Sequence, residues 1–151
     1  MKKALFPGSF DPITLGHVDI IKRAYDLFDE IVIGIGTNST KQNMFSVEQR
    51  RRWIEETFKD YPKISVSFYS DLTVKFCQEI NAQYIIRGLR DTKDFEFEKS
   101  IGQMNRELEN SVETIYLITD PALSAINASI VRDIIKHGGD ISKFVPKAVK
   151  P

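Results

Sequence analysis

Short apolar segments alternate with amphipathic segments along the whole chain, and this alternation is the strongest constraint on what the chain can fold into. The apolar segments are short and flanked by turn residues, which is typical of strands. The predicted strands are 3–6, 30–36, 64–68, 84–86 and 113–118. The amphipathic segments carry apolar residues at helical spacing. The predicted helices are 18–28, 46–58, 70–81, 91–108 and 129–137.

Regular alternation of strand and helix predicts an α/β fold. We expect a single-domain, Rossmann-like, doubly wound parallel sheet of about five strands, with right-handed crossovers and helices on both faces. The length of 151 residues suits one domain spanning 1–151. The strand 64–68 has only one apolar face and is expected at an edge of the sheet. Ligands of such sheets bind beyond the carboxyl ends of the strands, where the strand order reverses.

The loops that follow four of the predicted strands carry basic side chains or a helix start. They contribute His17, Lys41, Arg87 with Arg90, and the segment 119–129. We therefore expect these loops to converge on one crevice at the carboxyl ends of the strands. Its cations and N–H donors suit phosphate groups. No His and Cys cluster suggests zinc, and we assign no residue as a metal ligand.

The loop between the first strand and the first helix, 6–17, is the most informative single stretch. Two prolines and two glycines fix its path, and Gly8 and Gly16 would let the backbone approach a ligand. The following helix N-terminus offers unpaired N–H groups to an anion. His17 lies at or near that N-terminus, so we interpret it as a functional residue and not as an ordinary capping or surface histidine.

Composition limits the remaining function classes. The chain has 21 basic and 21 acidic side chains, so its net charge does not favour nucleic acid. We interpret the run Arg50-Arg51-Arg52 as a solvated helix face. The lone Cys77 falls in an apolar helical pattern and is predicted to be core. No signal-peptide pattern precedes the first strand, and no apolar run reaches membrane-spanning length, so we expect a soluble, cytoplasmic protein.

The loop 8–17 and several later segments resemble the phosphopantetheine adenylyltransferase family of the T/HxGH nucleotidyltransferase superfamily. The resemblance covers nearly the whole chain. It rests on Gly-Ser-Phe-Asp-Pro with Thr-Leu-Gly-His at 8–17, Lys41, Ile-Arg-Gly-Leu-Arg at 86–90, Asp-Phe-Glu-Phe-Glu at 94–98, Met-Asn-Arg at 104–106 and Gly-Gly-Asp at 138–140.

This resemblance implies a reaction, substrates and an assembly. The reaction joins 4′-phosphopantetheine to the AMP part of ATP, which gives dephospho-coenzyme A and pyrophosphate in coenzyme A biosynthesis. Mg²⁺ accompanies the ATP, and the family is hexameric. Coenzyme A is a further implied ligand, because it resembles dephospho-coenzyme A closely enough to compete for the site.

The resemblance also implies roles for individual residues. His17, Lys41 and Arg90 would be catalytic, with His17 on the α-phosphate and Arg90 on the polyphosphate. The substrate site would include Ser9, Lys41, Thr73 and Arg87. The ATP site would include Ser9, Phe10, His17, Gly88, Leu89, Arg90, Glu98, Leu123, Ser124, Ala125, Ile126, Asn127, Ala128 and Ser129. Glu98 could instead be a solvated charge on the helix 91–108, where Phe97, Ile101, Met104 and Leu108 form an apolar stripe.

One segment departs from the superfamily pattern. The usual Ile-Ser-Ser-Thr/Ser element reads Ile-Asn-Ala-Ser at 126–129, followed by Arg132. Ala128 lacks a hydroxyl, whereas Asn127 can still donate or cap. We expect a working but altered grip on phosphate.

Three other functions stay open at this point. A cytidylyltransferase-like enzyme acting on a small phosphorylated alcohol is the nearest, and CTP against ATP would separate the two. A non-catalytic nucleotide-binding module would bind ATP without releasing pyrophosphate. A purely structural protein would leave the convergence of basic loops unexplained.

Overall fold

The computed structural model describes residues 1–37 and 42–151 as an open α/β sheet. The strands are β1 (Lys3–Gly8), β2 (Glu30–Gly36), β3 (Ile64–Tyr69), β4 (Tyr84–Leu89) and β5 (Glu113–Ile118). The helices are α1 (Leu15–Ala24), α2 (Val47–Thr57), α3 (Thr73–Glu79), α4 (Thr92–Leu108) and α5 (Ala128–Lys136). Single 3₁₀ turns cover Tyr25–Leu27 and Pro121–Leu123.

The five strands are all parallel and lie in the order β3-β2-β1-β4-β5. The predicted fold class is confirmed, as is the edge position of β3. The chain builds outward from β1 to β3 and then returns to the other side of β1 to add β4 and β5. The strand order therefore reverses between β1 and β4, so the loops that leave these two strands part and open a crevice between them.

Helices cover both faces of the sheet and enclose two apolar clusters. The larger cluster contains Phe6, Ile33 and Trp53 and includes the closing segment through Ile141 and Val145. The smaller cluster, on Leu5, Val32 and Phe76, contains Cys77. Cys77 is fully buried, and burial raises the pKa of its thiol to about 12, which confirms the prediction of a core cysteine.

Local sequence signals explain where the helices begin and end. Ser46 and Asp91 accept hydrogen bonds from the third residue of α2 and of α4. Asp91 is therefore the N-cap of α4. Helix α1 begins at Leu15, three residues before the predicted start, because Thr14 caps it. Gly138, with φ +72°, follows the end of α5 in the left-handed region, as its sequence position predicts.

The apolar stripe of α4 is exposed and does not pack into the core. Phe97 is 68% exposed and Met104 63%, and Ile101 and Leu108 are also exposed. The residue that α4 buries is Glu98. An apolar face of this kind on a surface helix is typical of an interaction surface.

No helix within residues 1–37 and 42–151 is long and apolar enough to cross a lipid bilayer.

Gly102 lets α4 lie directly over the Tyr116 side chain of β5. A Cβ atom at this position would clash with the Tyr116 hydroxyl oxygen. That hydroxyl donates a hydrogen bond to the Glu98 carbonyl, 2.9 Å away, so it cannot move without breaking this bond. Overpacking typically costs about 1–3 kcal/mol. We expect Gly102→Ala to lower the free energy of unfolding by that amount in a urea titration.

The double variant Gly102→Ala, Tyr116→Phe is the matched control for this prediction. Removal of the hydroxyl leaves the nearest ring carbon at 3.4 Å, so the second substitution should recover most of the lost stability. A Gly102→Ala variant as stable as the unaltered chain would contradict the proposed packing.

Candidate active site

A cleft of about 550 Å³ opens between the carboxyl ends of β1 and β4, where the strand order reverses. Its walls come from the β1–α1 loop, the end of β4, the first turns of α4 and the start of α5. The lining includes Ser9, Phe10, His17, Arg87, Gly88, Arg90, Glu98, Ile126, Asn127, Ala128 and Ser129. The predicted convergence of the loops after β1, β4 and β5 is therefore confirmed.

His17 is held by a reciprocal cap at the start of α1. The Thr14 backbone N–H donates to His17 Nδ1 at 3.0 Å, and the Thr14 hydroxyl accepts from the His17 backbone N–H at 3.5 Å. A backbone N–H can only donate, so Nδ1 must be the acceptor nitrogen of a neutral ring. The ring proton then lies on Nε2. The Thr14–His17 cap thus determines the tautomer as well as the orientation of the imidazole.

The environment of His17 strongly favours the neutral ring. Burial is the main cause, and the positive charges of Arg87 and Arg90 add to it, so the pKa falls from 6.5 to about 4. His17 is therefore a neutral hydrogen-bond donor at pH 7 and not a cation.

Phe10 forms the floor of the cleft beside His17. Its ring lies edge-on to the imidazole with ring centroids 5.0 Å apart, and it also packs against Phe6. Phe10 has φ +48°, a backbone conformation uncommon for a bulky residue, and its side chain is buried. This turn directs the Ser9–Phe10 peptide along the cleft wall.

Arg87 and Glu98 form a bidentate ion pair at the base of the cleft. Arg87 Nε and Nη2 donate to the two Glu98 carboxylate oxygens at 3.0 and 2.6 Å, and Nη1 donates to the Pro7 carbonyl at 2.7 Å. Glu98 is 7% exposed. The alternative that Glu98 is a solvated helix charge is therefore wrong. Its carboxylate orients Arg87 in the space between β1 and β4.

Arg90 is likewise paired with a carboxylate, that of Asp94, which lies one turn before Glu98 on α4. Its Nε donates to Asp94 Oδ2 at 3.0 Å, and its backbone N–H donates to the same oxygen. Burial alone would raise the pKa of Asp94, but these hydrogen bonds and the charge of Arg90 outweigh it, so the pKa lies below the ordinary value. Both arginines are thus oriented before any ligand binds.

The start of α5 closes the opposite wall of the cleft. The Asn127 side chain caps this helix by accepting from the Ile130 N–H at 2.8 Å. The helix N-terminus therefore faces the cleft with the unpaired N–H groups of its first turn, which is a favourable place for an anion. Arg132 bridges two walls, donating to the Ser129 hydroxyl and to the Asp11 carbonyl.

A second cavity of about 190 Å³ adjoins the cleft below α4. Both spaces are lined by Pro7, Gly8, Arg87 and Glu98, so they meet at the Arg87–Glu98 pair. The second cavity combines apolar and polar groups. Its other lining residues are Tyr69, Thr73, Ile85, Ile101, Gly102, Asn105, Thr114 and Tyr116. Thr73 therefore lies apart from the cleft, and its hydroxyl is 3.2 Å from that of Tyr69.

Some predicted site residues lie outside these spaces. Leu89 is buried behind the cleft wall, and Leu123, Ser124 and Ala125 lie on the segment that precedes α5 without lining either cavity. Lys41 lies outside the described residues.

Two residues that support the site, Arg50 and Thr14, were given no site role from the sequence. The interpretation of the arginine run as a solvated face is wrong for Arg50, which is 3% exposed and donates to the Ser9 carbonyl, whereas Arg51 and Arg52 are exposed. Helical spacing places Arg50 on the face of Trp53 and Ile54, which was the available signal. Thr14, three residues before His17, matched the spacing of a capping box.

Within the described ranges 1–37 and 42–151, no group of three or more His, Cys, Asp or Glu side chains could hold a metal ion. The two carboxylates in the cleft, Asp94 and Glu98, are already paired with arginines. These residues do not fit a resident divalent metal site.

The depressed pKa of His17 predicts a specific titration. In the free protein, the His17 Cε1–H resonance should stay at its neutral position from pH 8 down to about pH 5 and move only near pH 4. The unfolded chain takes up this proton near pH 6.5, so the contribution of His17 to stability falls as the pH drops from about 6.5 to 4. The resonance would be assigned by its absence in His17→Gln. Titration near pH 6.5 would contradict the proposed environment.

Comparison with known proteins agrees with this architecture. The Cytidylyltransferase-like family model matches residues 5–134. A solved structure from Vibrio parahaemolyticus, described as a nicotinate-nucleotide adenylyltransferase, superposes with a TM-score of 0.72 over 98% of this chain and 90% of that one. At 21% sequence identity, that likeness establishes the fold alone.

Sequence relatives are much closer. The chain is 57% identical over 150 residues to the phosphopantetheine adenylyltransferase of Flavobacterium psychrophilum, covering 99% of each protein. It is 51% identical to the protein of that name from Christiangramia forsetii and 45% to that from Bacteroides thetaiotaomicron, again over 99% of each chain. With a cleft at the strand switch point and identity of this extent, the chain belongs to the phosphopantetheine adenylyltransferase family of nucleotidyltransferases.

Proposed function

We propose that this chain transfers AMP from Mg²⁺-ATP to 4′-phosphopantetheine, with dephospho-coenzyme A and pyrophosphate as products. The observation that carries the proposal is the junction of two cavities at Arg87. A polar cleft of about 550 Å³, which suits a nucleotide, meets a smaller mixed cavity of about 190 Å³ that suits the pantetheine arm. The phosphate of the second substrate would lie at that junction, beside the α-phosphate of ATP.

The nucleophile needs no general base from the protein. The attacking group is a phosphate monoester whose second pKa is about 6, so it is mostly deprotonated at pH 7. The barrier comes from bringing two polyanions together and aligning them. One substrate-phosphate oxygen forms a bond to the α-phosphorus, and the bond from that phosphorus to pyrophosphate breaks on the opposite side. Pyrophosphate carries away the electron pair, and no proton transfer is required.

Neutral His17 would stabilise the developing charge through a single hydrogen bond. The Thr14 N–H occupies Nδ1, so the Nε2–H is the group available to a non-bridging oxygen of the α-phosphate. Because the ring is not charged, its donation strengthens only as the oxygen becomes more negative in the transition state. Asn127 and the α5 N-terminus would hold the remaining phosphates with Arg90, while Ser9, the Phe10 backbone and Gly88 would complete the nucleotide site.

Arg87 would bind the phosphate of the pantetheine substrate, together with Lys41. The Arg87 guanidinium is held by Glu98 and Pro7, which reduces the entropy lost on binding. Thr73, Tyr69 and Asn105 offer polar contacts for the amide groups of a pantetheine arm, and Ile85 and Ile101 offer apolar contact. Because Glu98 balances the charge of Arg87, this pocket does not present an unpaired cation that would bind any anion.

Dephospho-coenzyme A would occupy both cavities at once, and coenzyme A would compete with it as a feedback ligand. The Mg²⁺ would travel with the triphosphate. A cytoplasmic location is consistent with these substrates and is part of the proposal.

The reaction is tested by pyrophosphate release. With Mg²⁺-ATP, release should require 4′-phosphopantetheine, and His17→Ala should lower kcat by about 10²–10³-fold, the usual effect of removing one such donor. His137→Ala is the matched control, because His137 is exposed on the far end of α5. Its activity should equal that of the unaltered chain.

Two outcomes would point to the other functions considered. Faster release from Mg²⁺-CTP than from Mg²⁺-ATP would indicate a cytidylyltransferase. Tight ATP binding by calorimetry without any pyrophosphate release, unaffected by His17→Ala, would indicate a binding module.

The exposed face of α4 supports the proposal of a homo-hexamer. Phe97, Ile101, Met104 and Leu108 lie on one side of that helix and are all exposed in the monomer. Sedimentation velocity should give about six times the 17.3 kDa mass of the chain. Met104→Glu should reduce that mass, because it places a charge in the apolar contact.

Lys99→Glu is the matched control for the assembly, since Lys99 is exposed and lies on the opposite side of α4. It should leave the mass unchanged. A monomer in both the unaltered chain and Lys99→Glu would contradict the hexamer.

A further inference from the structure

We propose that Arg50 is a positioning residue for adenylyl transfer, which orients the Ser9–Phe10 peptide in the cleft without touching the substrate. The kinetic test of this role rests on the proposed function, whereas the role itself is inferred from hydrogen bonds and burial. Arg50 belongs to the first turns of α2, outside the cleft, and does not line either cavity.

The Arg50 guanidinium links two loops from a buried position. Its Nη1 donates to the Ser9 carbonyl at 2.6 Å, and its Nε donates to the Phe45 carbonyl at 3.1 Å. Only 3% of the residue is exposed. Burying a guanidinium is costly unless its donors are well placed, and a hydrophobic side chain would fill this space more cheaply. A role in orientation accounts for keeping the charge.

Asp11 ties the same loop both to the segment before α2 and to α5. Its carboxylate accepts from the backbone N–H groups of Met44 and Phe45 at 2.8 and 3.0 Å. Its own carbonyl accepts from Arg132 of α5 at 2.9 Å. The residues Ser9–Asp11 are thus held by α2 on one side and by α5 on the other.

This attachment determines where the loop directs its N–H group. The Ser9 carbonyl and the Phe10 N–H belong to one trans peptide and point in opposite directions. Holding the carbonyl on buried Arg50 turns the N–H away from α2, while both residues line the cleft. Phe10 also keeps a positive φ and packs on His17, a conformation that persists only when its surroundings hold it.

A lysine could not replace this arginine. The guanidinium donates to two separate carbonyls from one rigid plane, whereas an ammonium is a single point charge on a flexible stem. Loss of either bond would let the Ser9–Phe10 peptide rotate. A misplacement of about 1 Å at a reacting centre can cost about 10²-fold in rate.

The test compares Arg50→Met and Arg50→Lys with Arg51→Met, all in the full chain. Arg51 is the neighbouring residue, is exposed, and pairs with Glu55 on the surface. We expect kcat for pyrophosphate release to fall about 100-fold in Arg50→Met, with the KM for 4′-phosphopantetheine changed less than about 3-fold. Arg50→Lys should show most of the same fall in kcat, and the kcat of Arg51→Met should equal that of the unaltered chain. Circular dichroism and the thermal midpoint identify the folded variants.

A double variant separates positioning from general stability. Arg50 holds the Ser9–Phe10 peptide, and the Phe10 ring packs on His17, so we expect the effect of Arg50 to pass through the position of the imidazole. The combined Arg50→Met, His17→Ala variant should therefore be within about 3-fold of His17→Ala alone. Losses that multiply, an unchanged kcat in folded Arg50→Met, or an equal loss in Arg51→Met would each overturn the inference. If Arg50→Met does not fold, the Arg50→Lys comparison decides on the same criteria.

A geometric measurement distinguishes failure of this inference from failure of the proposed function. The backbone amide resonance of Phe10 should shift in Arg50→Lys and not in Arg51→Met, whatever reaction the protein catalyses. If the unaltered chain releases no pyrophosphate, the proposed reaction fails, and the Phe10 resonance alone then decides the role of Arg50. An unmoved Phe10 resonance would overturn that role.

Discussion

The central position of β1 is the constraint on which the rest of the structure depends. It is paired on both edges, with β2 and β4, and Ala4, Leu5 and Phe6 are buried on both of its faces. The chain that leaves its carboxyl end must therefore turn out of the sheet where the strand order reverses. Pro12, the Thr14 cap and the buried Asp11 and Arg50 together fix that turn. The cleft is a consequence of where β1 lies.

The main electrostatic features of the site are a neutral histidine and arginines that are already paired within the protein. Its ring histidine is uncharged, and its two arginines at the end of β4 are each held by a carboxylate of α4. Within the described residues, Glu98 and Asp94 balance the charges of these two arginines. Oriented dipoles contribute as well, because fixed N–H groups stabilise charge that develops in the reaction without binding the ground state equally well. Hydrogen bonds within the protein hold each donor before substrate arrives.

The strands, the edge position of β3 and the converging loops could be predicted from the sequence, since hydrophobic periodicity and strand-end placement are local signals. The start of α1 was missed although Thr14 has the spacing of a capping box, because its partner in the box is His17 and not the usual Glu or Gln. The exposure of the apolar face of α4 could not be predicted either. A periodic apolar stripe marks a face that packs, but it does not show whether that face packs on the sheet or on another molecule. Glu98 was left open and Arg50 was predicted to be solvated, since a charged residue on a helix becomes buried only when a partner from elsewhere in the chain reaches it. Glu98 is 11 residues from Arg87, which in turn contacts Pro7 from 80 residues away, and Arg50 is 41 residues from Ser9.

In the proposed mechanism, the site aligns two phosphates for one direct displacement, with no covalent intermediate on the protein. The stereochemical course at the α-phosphorus tests this most directly. With a single diastereomer of adenosine 5′-O-(1-thiotriphosphate) and 4′-phosphopantetheine, one in-line displacement predicts inversion of configuration in the product, read by ³¹P NMR. Retention of configuration would require two displacements, through an adenylylated side chain, and would contradict the account.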